Sequence, residues 1–298
     1  MPARQDIEFV SKGARCRGWF YAPPKANAPA PAIVMSHGFS AVKEHHLDKY
    51  AAAFNAAGFA VTVFDYRFLG ASEGAPRQRI IPAEQHDDLR AALGWTAAQA
   101  GVDSNRIGVW GSSYSGGHAL FVGALDPRIK VIVAQVPAMS VVDSLLALVG
   151  KEGFAFYLSM LAEDHAARNR GEPGGVIPVV GPAGQPSVLS SPDSYEWFTK
   201  AAAIAPNWRN EVTLESVARM IEYQPANFIH LIAPKPLLVQ AARKDSLIPF
   251  AQIEAAFARA GEPKRLDVFE CGHFDCYETE PFHSRAVESA REWYKKHL

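Results

Sequence analysis

Short, almost wholly apolar runs alternate along this chain with segments whose apolar residues recur at helical spacing. The run at residues 32–35 precedes a helical pattern over 47–57, and the run at 60–64 precedes one over 83–100. Residues 106–110 lead into a small-residue helix after Ser113, and 131–136 closes the first half. The rhythm resumes late, with a strand at 237–240, a helix at 249–260, a strand at 266–269 and a closing helix at 282–296. Strands that lack polar alternation are buried on both faces, so the pattern predicts a mostly parallel sheet with helices on both sides, an α/β fold. Strands at 6–10 and 16–21 are expected to pair as a hairpin around Lys12-Gly13-Ala14, and the Pro/Ala-rich stretch 23–31 links them to the body.

Between Pro137 and about Ile232 the alternation stops. Helical segments at 142–149, 154–165, 194–203 and 214–222 follow one another instead, interrupted by the Gly/Pro-rich stretch 171–186. The expected organisation is therefore a core of residues 1–137 and 229–298 with an inserted helical cap, 138–228. Such an insertion sits at the carboxyl ends of the strands, where open α/β sheets bind ligands.

Charge narrows the partners: Lys plus Arg number 30 against 31 for Asp plus Glu in 298 residues, which gives no net field for nucleic acid or an anionic membrane. Residues 1–10 carry no apolar core of signal-peptide length, and no later stretch reads as the ~20 apolar residues of a bilayer span, so a cytoplasmic protein is expected. The three cysteines, Cys16, Cys271 and Cys276, fit neither a disulfide framework nor a zinc pattern and are read as reduced packing thiols.

Candidate chemistry centres on Gly111-Ser112-Ser113-Tyr114-Ser115-Gly116-Gly117, directly after an apolar strand. A serine on a tight strand-to-helix turn exposes its hydroxyl above the sheet, and the residues two before and two after it must be small. Trp110 excludes Ser112 by that rule. Spacing permits Ser113 or Ser115, and strand length favours Ser113, which stands just past the strand end. A serine hydroxyl needs a base, and the base needs an orienting acid. His273, in Cys271-Gly272-His273-Phe274, follows the last strand, and Asp245, in Lys244-Asp245-Ser246, follows the one before. Asp143 is a rival acid, set in a helical pattern. An oxyanion formed on Ser113 requires backbone donors, expected from Tyr114 and from Phe39 in Ser36-His37-Gly38-Phe39-Ser40.

Several further residues are read as structural. His37 braces the oxyanion loop, Arg67 fixes loops through an Asp, and His45 and His46 beside Glu44 are expected to be solvated. His118 and His165 receive no role. Phe154, Phe156, Tyr157, Trp197, Phe198 and Trp208 are candidates for an apolar roof over the substrate. No metal or cofactor is called for by these residues.

With His37-Gly38-Phe39, Asp65-Tyr66-Arg67, the Gly111–Gly117 turn, Lys244-Asp245 and Gly272-His273 in place, the chain resembles the α/β-hydrolase superfamily from about Phe9 onward. Within it the turn and the helical insertion are similar to the dienelactone-hydrolase-like and Xaa-Pro-dipeptidyl-peptidase-like branch, which includes fungal polyketide-releasing thiohydrolases and acyltransferases. The resemblance implies a cofactor-free serine hydrolase acting on a small-molecule ester or thioester, or an acyltransferase using the same three residues. Amide cleavage is disfavoured by the lack of a visible anionic pair for a substrate amino terminus, although Glu152 and Glu163 lie in the insertion. A catalytically silent binder of an apolar ligand is the reading of a different class, and a homodimer is left open.

Overall fold

Adjacent residues of the apolar runs feed opposite faces of one sheet, and this alternation builds the two cores of the computed structural model, which describes residues 4–24 and 29–298. The linker expected across 23–31 falls partly on residues 25–28, and the N-terminal segment partly on 1–3; both lie outside the described residues. The hairpin forms as β1 (Arg4–Ser11) and β2 (Ala14–Tyr21), antiparallel, with Lys12 and Gly13 at positive φ in its turn. Then follow β3 (Ala30–Ser36), α1 (Leu47–Ala56), β4 (Ala60–Phe64), α2 (Pro82–Ala97), β5 (Val102–Ser112), α3 (Tyr114–Leu125) and β6 (Ile129–Gln135).

After β6 the chain leaves the sheet for α4 (Val141–Asn169), β7 (Val176–Ile177), α5 (Pro192–Ala201), β8 (Val212–Thr213) and α6 (Leu214–Ile221). It returns through β9 (Leu237–Ala242), α7 (Phe250–Ala258), β10 (Lys264–Phe269), the short α8 (Asp275–Glu278) and α9 (Phe282–His297). The eight-stranded sheet has the order β1-β2-β4-β3-β5-β6-β9-β10, parallel from β4 onward. This is the α/β-hydrolase arrangement, a mostly parallel open sheet.

Val34 and Val109 face a core with Leu89 and Leu93 of α2 and Leu120 of α3. Their neighbours Ile33, Met35 and Trp110 face the other, with Tyr50 and Phe54 of α1 and Trp293 and Tyr294 of α9. β4 and β9 are buried at every position, as continuous apolar runs require.

The helices expected at 142–149 and 154–165 are both present, as the two halves of α4 that meet at Gly150 (φ 70°, ψ 178°). Two features differ from the sequence reading. The antiparallel pair β7–β8 was not anticipated; two-residue strands carry no periodic signal. Finally, α4 is long and apolar enough by length and composition to cross a membrane, against the expectation that no stretch would be. The break at Gly150 divides it, and Leu145, Tyr157 and Leu161 turn inward to the core.

Candidate active site

At the carboxyl end of β5 the backbone reverses into α3 through Ser113, held at φ 56° and ψ −119°. This is a conformation that non-glycine residues rarely adopt, and it persists only where the surroundings impose it. Here the Ser113 N–H donates to the Gln135 carbonyl at 2.8 Å, while the Ser113 carbonyl accepts from the Gly117 and Ala138 N–H groups at 3.2 and 2.9 Å. The small-residue rule has a visible cause: a Cβ on Gly111 would lie 2.0 Å from the Ser115 carbonyl oxygen. Ser115 itself points away from the cleft. Its hydroxyl donates to the His37 carbonyl and accepts from Tyr66 OH at 2.8 Å, so this serine ties the loop after β3 to α3.

His273 lies in the loop after β10 and Asp245 in the loop after β9. His273 Nε2 stands 3.0 Å from Ser113 Oγ, and its Nδ1 stands 2.7 Å from Asp245 Oδ2. The other carboxylate oxygen of Asp245 accepts from the Leu247 and Ile248 N–H groups, each at 2.8 Å, which fixes its direction. The His273 and Asp245 side chains are 1% and 0% exposed, so this pair is shielded from water and from competing ions. Asp143, the rival acid, is exposed on α4 and takes no part.

The loop after β3 closes over the turn from the other side. Gly38 packs so tightly that an added Cβ would lie 3.1 Å from Ser113 Cβ. The N–H groups of Phe39 and Tyr114 make no hydrogen bond among the described residues, and Tyr114 is the first residue of α3, whose N-terminal dipole favours negative charge. His37 braces this loop through a 3.0 Å contact between Nδ1 and the Gly38 carbonyl, and burial lowers its pKa.

Two cavities meet at Ser113 and share Phe39, Leu189 and Leu247. The first, about 510 Å³ with its opening, is aliphatic, walled by Val141, Leu145 and Leu148 of α4, Val188 and Met220. The second is a narrow aromatic cleft, about 340 Å³ only when its open mouth is counted, and contains His273, Phe274 and Tyr277 together with Trp197 and Phe198 of α5. Trp208 stacks behind Phe198 at 5.2 Å. Phe154, Phe156 and Tyr157, the other residues of the expected roof, line neither cavity: Phe156 is 53% exposed, and Tyr157 OH donates to the Ser187 carbonyl. The walls at 188–189 and 247–248 were missed. Val188-Leu189 is a two-residue apolar island in a Ser/Pro-rich stretch, the only trace it leaves in the sequence.

Two charge readings also change. Arg67 pairs with Asp88 of α2, its Nε 2.5 Å from Oδ1, while the neighbouring Asp65 is taken by Lys43 at 2.7 Å. His45 and His46, expected in solvent, are buried, because α5 packs its aromatic face onto them: Trp197 lies 5.3 Å from His45 and 6.0 Å from His46. Cys271 and Cys276 are buried free thiols, as is Cys16.

The family described as X-Pro dipeptidyl-peptidase (S15 family) matches residues 13–222. Among curated relatives, the quorum-quenching protein AidA of Acinetobacter baumannii (strain MDR-ZJ06) is 28% identical over 98% of this chain and 94% of its own length. The thiohydrolase apmlB of Arthrinium phaeospermum is 31% identical over 92% of this chain and 91% of its own. Among solved structures, DcsB in complex with its substrate analogue superposes with a TM-score of 0.86 at 26% identity, covering 99% of this chain and 100% of that one. The α/β-hydrolase GrgF from Penicillium sp. sh18 gives 0.85 at 24% identity, covering 99% of both chains.

Proposed function

Because this chain belongs to the X-Pro dipeptidyl-peptidase (S15) family and has the α/β-hydrolase fold, we propose that it is a serine hydrolase that cleaves a carboxylic ester or thioester through an acyl-enzyme on Ser113. The observation that carries this reading is the unbroken hydrogen-bonded line from Ser113 Oγ through His273 to Asp245, drawn from the ends of three strands.

In the proposed mechanism His273 Nε2 takes the Ser113 proton as Oγ attacks the acyl carbon, and Asp245 holds the imidazolium that results. The oxyanion is received by the N–H groups of Phe39 and Tyr114; donors of this kind contribute about 3 kcal/mol each in comparable sites. Collapse of the tetrahedral intermediate expels the alcohol or thiol, which takes the proton back from His273. Water then attacks the acyl-enzyme with His273 again acting as base.

The two cavities suggest how the substrate divides. A leaving group must reach His273, which lines only the aromatic cavity, so the acyl chain belongs in the aliphatic one under α4. Residues 138–228 then act as a cap whose α4, α5 and 188–189 segment supply walls to both, over a core of 1–137 and 229–298. Despite the family's name, neither cavity contains an acidic side chain to hold a substrate amino terminus, and Glu152 and Glu163 are exposed elsewhere, which favours esters over X-Pro peptides. An acceptor alcohol seated in the aromatic cavity would convert the same chemistry into acyl transfer, distinguishable by analysing products with alcohols in competition.

The test is rapid-mixing kinetics with p-nitrophenyl esters. The native enzyme should release a burst of p-nitrophenol close to one equivalent, and Ser113→Ala should show neither burst nor turnover; full activity in that variant would eliminate the mechanism.

A further inference from the structure

His45 lies in the segment between β3 and α1, and its ring is closed off from solvent. Its Nδ1 accepts the Val42 N–H at 3.2 Å, so the neutral ring carries its hydrogen on Nε2. That Nε2 has no hydrogen-bond partner among the described residues. The ring lines the aromatic cavity beside Ser113 and His273, with Trp197 at 5.3 Å, Phe198 at 5.6 Å and Trp208 at 6.0 Å. The indole N–H groups of Trp197 and Trp208 also lack partners among the described residues. The result is a recess with aromatic walls, lined by His45 and Trp197, whose Nε2–H and indole N–H have no acceptor of their own among the described residues. Buried donors are normally satisfied, and leaving one unpaired costs about 1–3 kcal/mol. A ligand that supplies the missing acceptor recovers that cost, whereas one of the same shape without it does not.

We propose that His45 is a specificity-determining residue that donates a hydrogen bond from Nε2 to a neutral acceptor oxygen on an aromatic or otherwise planar leaving group. Ether, carbonyl and hydroxyl oxygens are the class that fits. A carboxylate is disfavoured because the cavity holds no cationic side chain, and burial takes the His45 pKa down to about 3, keeping the ring uncharged at neutral pH. The inference deepens the proposed function and rests on its assignment of the leaving group to the His273 side of Ser113.

The test uses matched butyrate esters whose leaving groups have one shape and similar acidity, methoxyphenyl against ethylphenyl, at each of the three ring positions. The native enzyme should prefer the methoxy ester at one position by about 5- to 100-fold in kcat/KM. His45→Phe should abolish that preference, bringing the methoxy-to-ethyl ratio of kcat/KM to about one; any general loss from leaving the Val42 N–H unpaired falls on both esters and cancels in the ratio. His45→Gln, which restores an N–H donor, should recover part of it; if His45→Phe does not fold, loss of the whole preference in His45→Gln overturns the proposal and retention supports it. Equal rates for every pair in the native enzyme, or an unchanged methoxy-to-ethyl ratio in His45→Phe, also overturns it. Failure of the serine mechanism is read separately, as turnover of the ethylphenyl ester that survives Ser113→Ala.

Discussion

Asp245 illustrates how much of the proposed chemistry rests on single atoms. One carboxylate oxygen is committed to two backbone N–H groups, which leaves the other aimed at His273 Nδ1. An amide in its place can present an N–H to Nδ1 and stabilise the tautomer with hydrogen on Nε2, which cannot accept the Ser113 proton. Asp245→Asn is therefore expected to fold with native stability and to lose about 10³- to 10⁴-fold in kcat with little change in KM. Steady-state kinetics alongside thermal denaturation checks this, and near-native turnover would exclude Asp245 as the orienting acid. Ser113, Asp245 and His273 were legible in the sequence because each is confined by local rules: small neighbours for the serine, and a loop directly after a strand for the other two. His45 was not legible. Its burial depends on α5 folding over it from about 150 positions further along, and no local pattern encodes that contact.

At the scale of elements, α3 is clamped from behind by a neutral histidine pair. His118 Nε2 donates to Gln85 Oε1 at 2.9 Å, so its Nδ1 is an acceptor, met by His86 Nε2 at 3.0 Å and Tyr223 OH at 2.9 Å. A proton added to His118 Nδ1 would set donor against donor, and one added to His86 would leave a charge in the core without a counter-ion. Burial lowers both pKa values, that of His86 to about 3. The unfolded chain takes up these protons first, from about pH 6.5 downward. Stability from the pair is therefore complete above that pH and is lost progressively as pH falls toward about 3. Melting temperatures measured from pH 7.5 to 4.5 should fall with acidification. In His86→Gln the slope should be shallower by up to about 1.4 kcal/mol per pH unit, one proton's worth; parallel curves for the two proteins would refute the assignment. The strands and most helices, including the two halves of α4 on either side of Gly150, were readable from apolar runs and 3.6-residue spacing, whereas β7 and β8 were not. Two-residue strands carry no period, and their pairing exists only once the insertion has folded.

Seen whole, the molecule places a hydroxyl, an imidazole and a carboxylate at neighbouring strand ends and covers them with the chain between β6 and β9. The sheet order brings β9 beside β6 and β10 beside β9, so residues 113, 245 and 273 converge although 160 positions separate the first from the last. That convergence was inferable from the α/β rhythm and the order Ser, Asp, His. The cavity walls were not, since residues 188–189, 220 and 247–248 become neighbours only after the insertion has packed down. The measurement closest to the central claim is intact-protein mass spectrometry, followed by peptide mapping, on enzyme quenched in acid seconds after mixing with an activated ester. The account predicts one added acyl group, located on Ser113 and absent from Ser113→Ala. An acyl group on any other residue, or ester turnover that continues in Ser113→Ala, would contradict it.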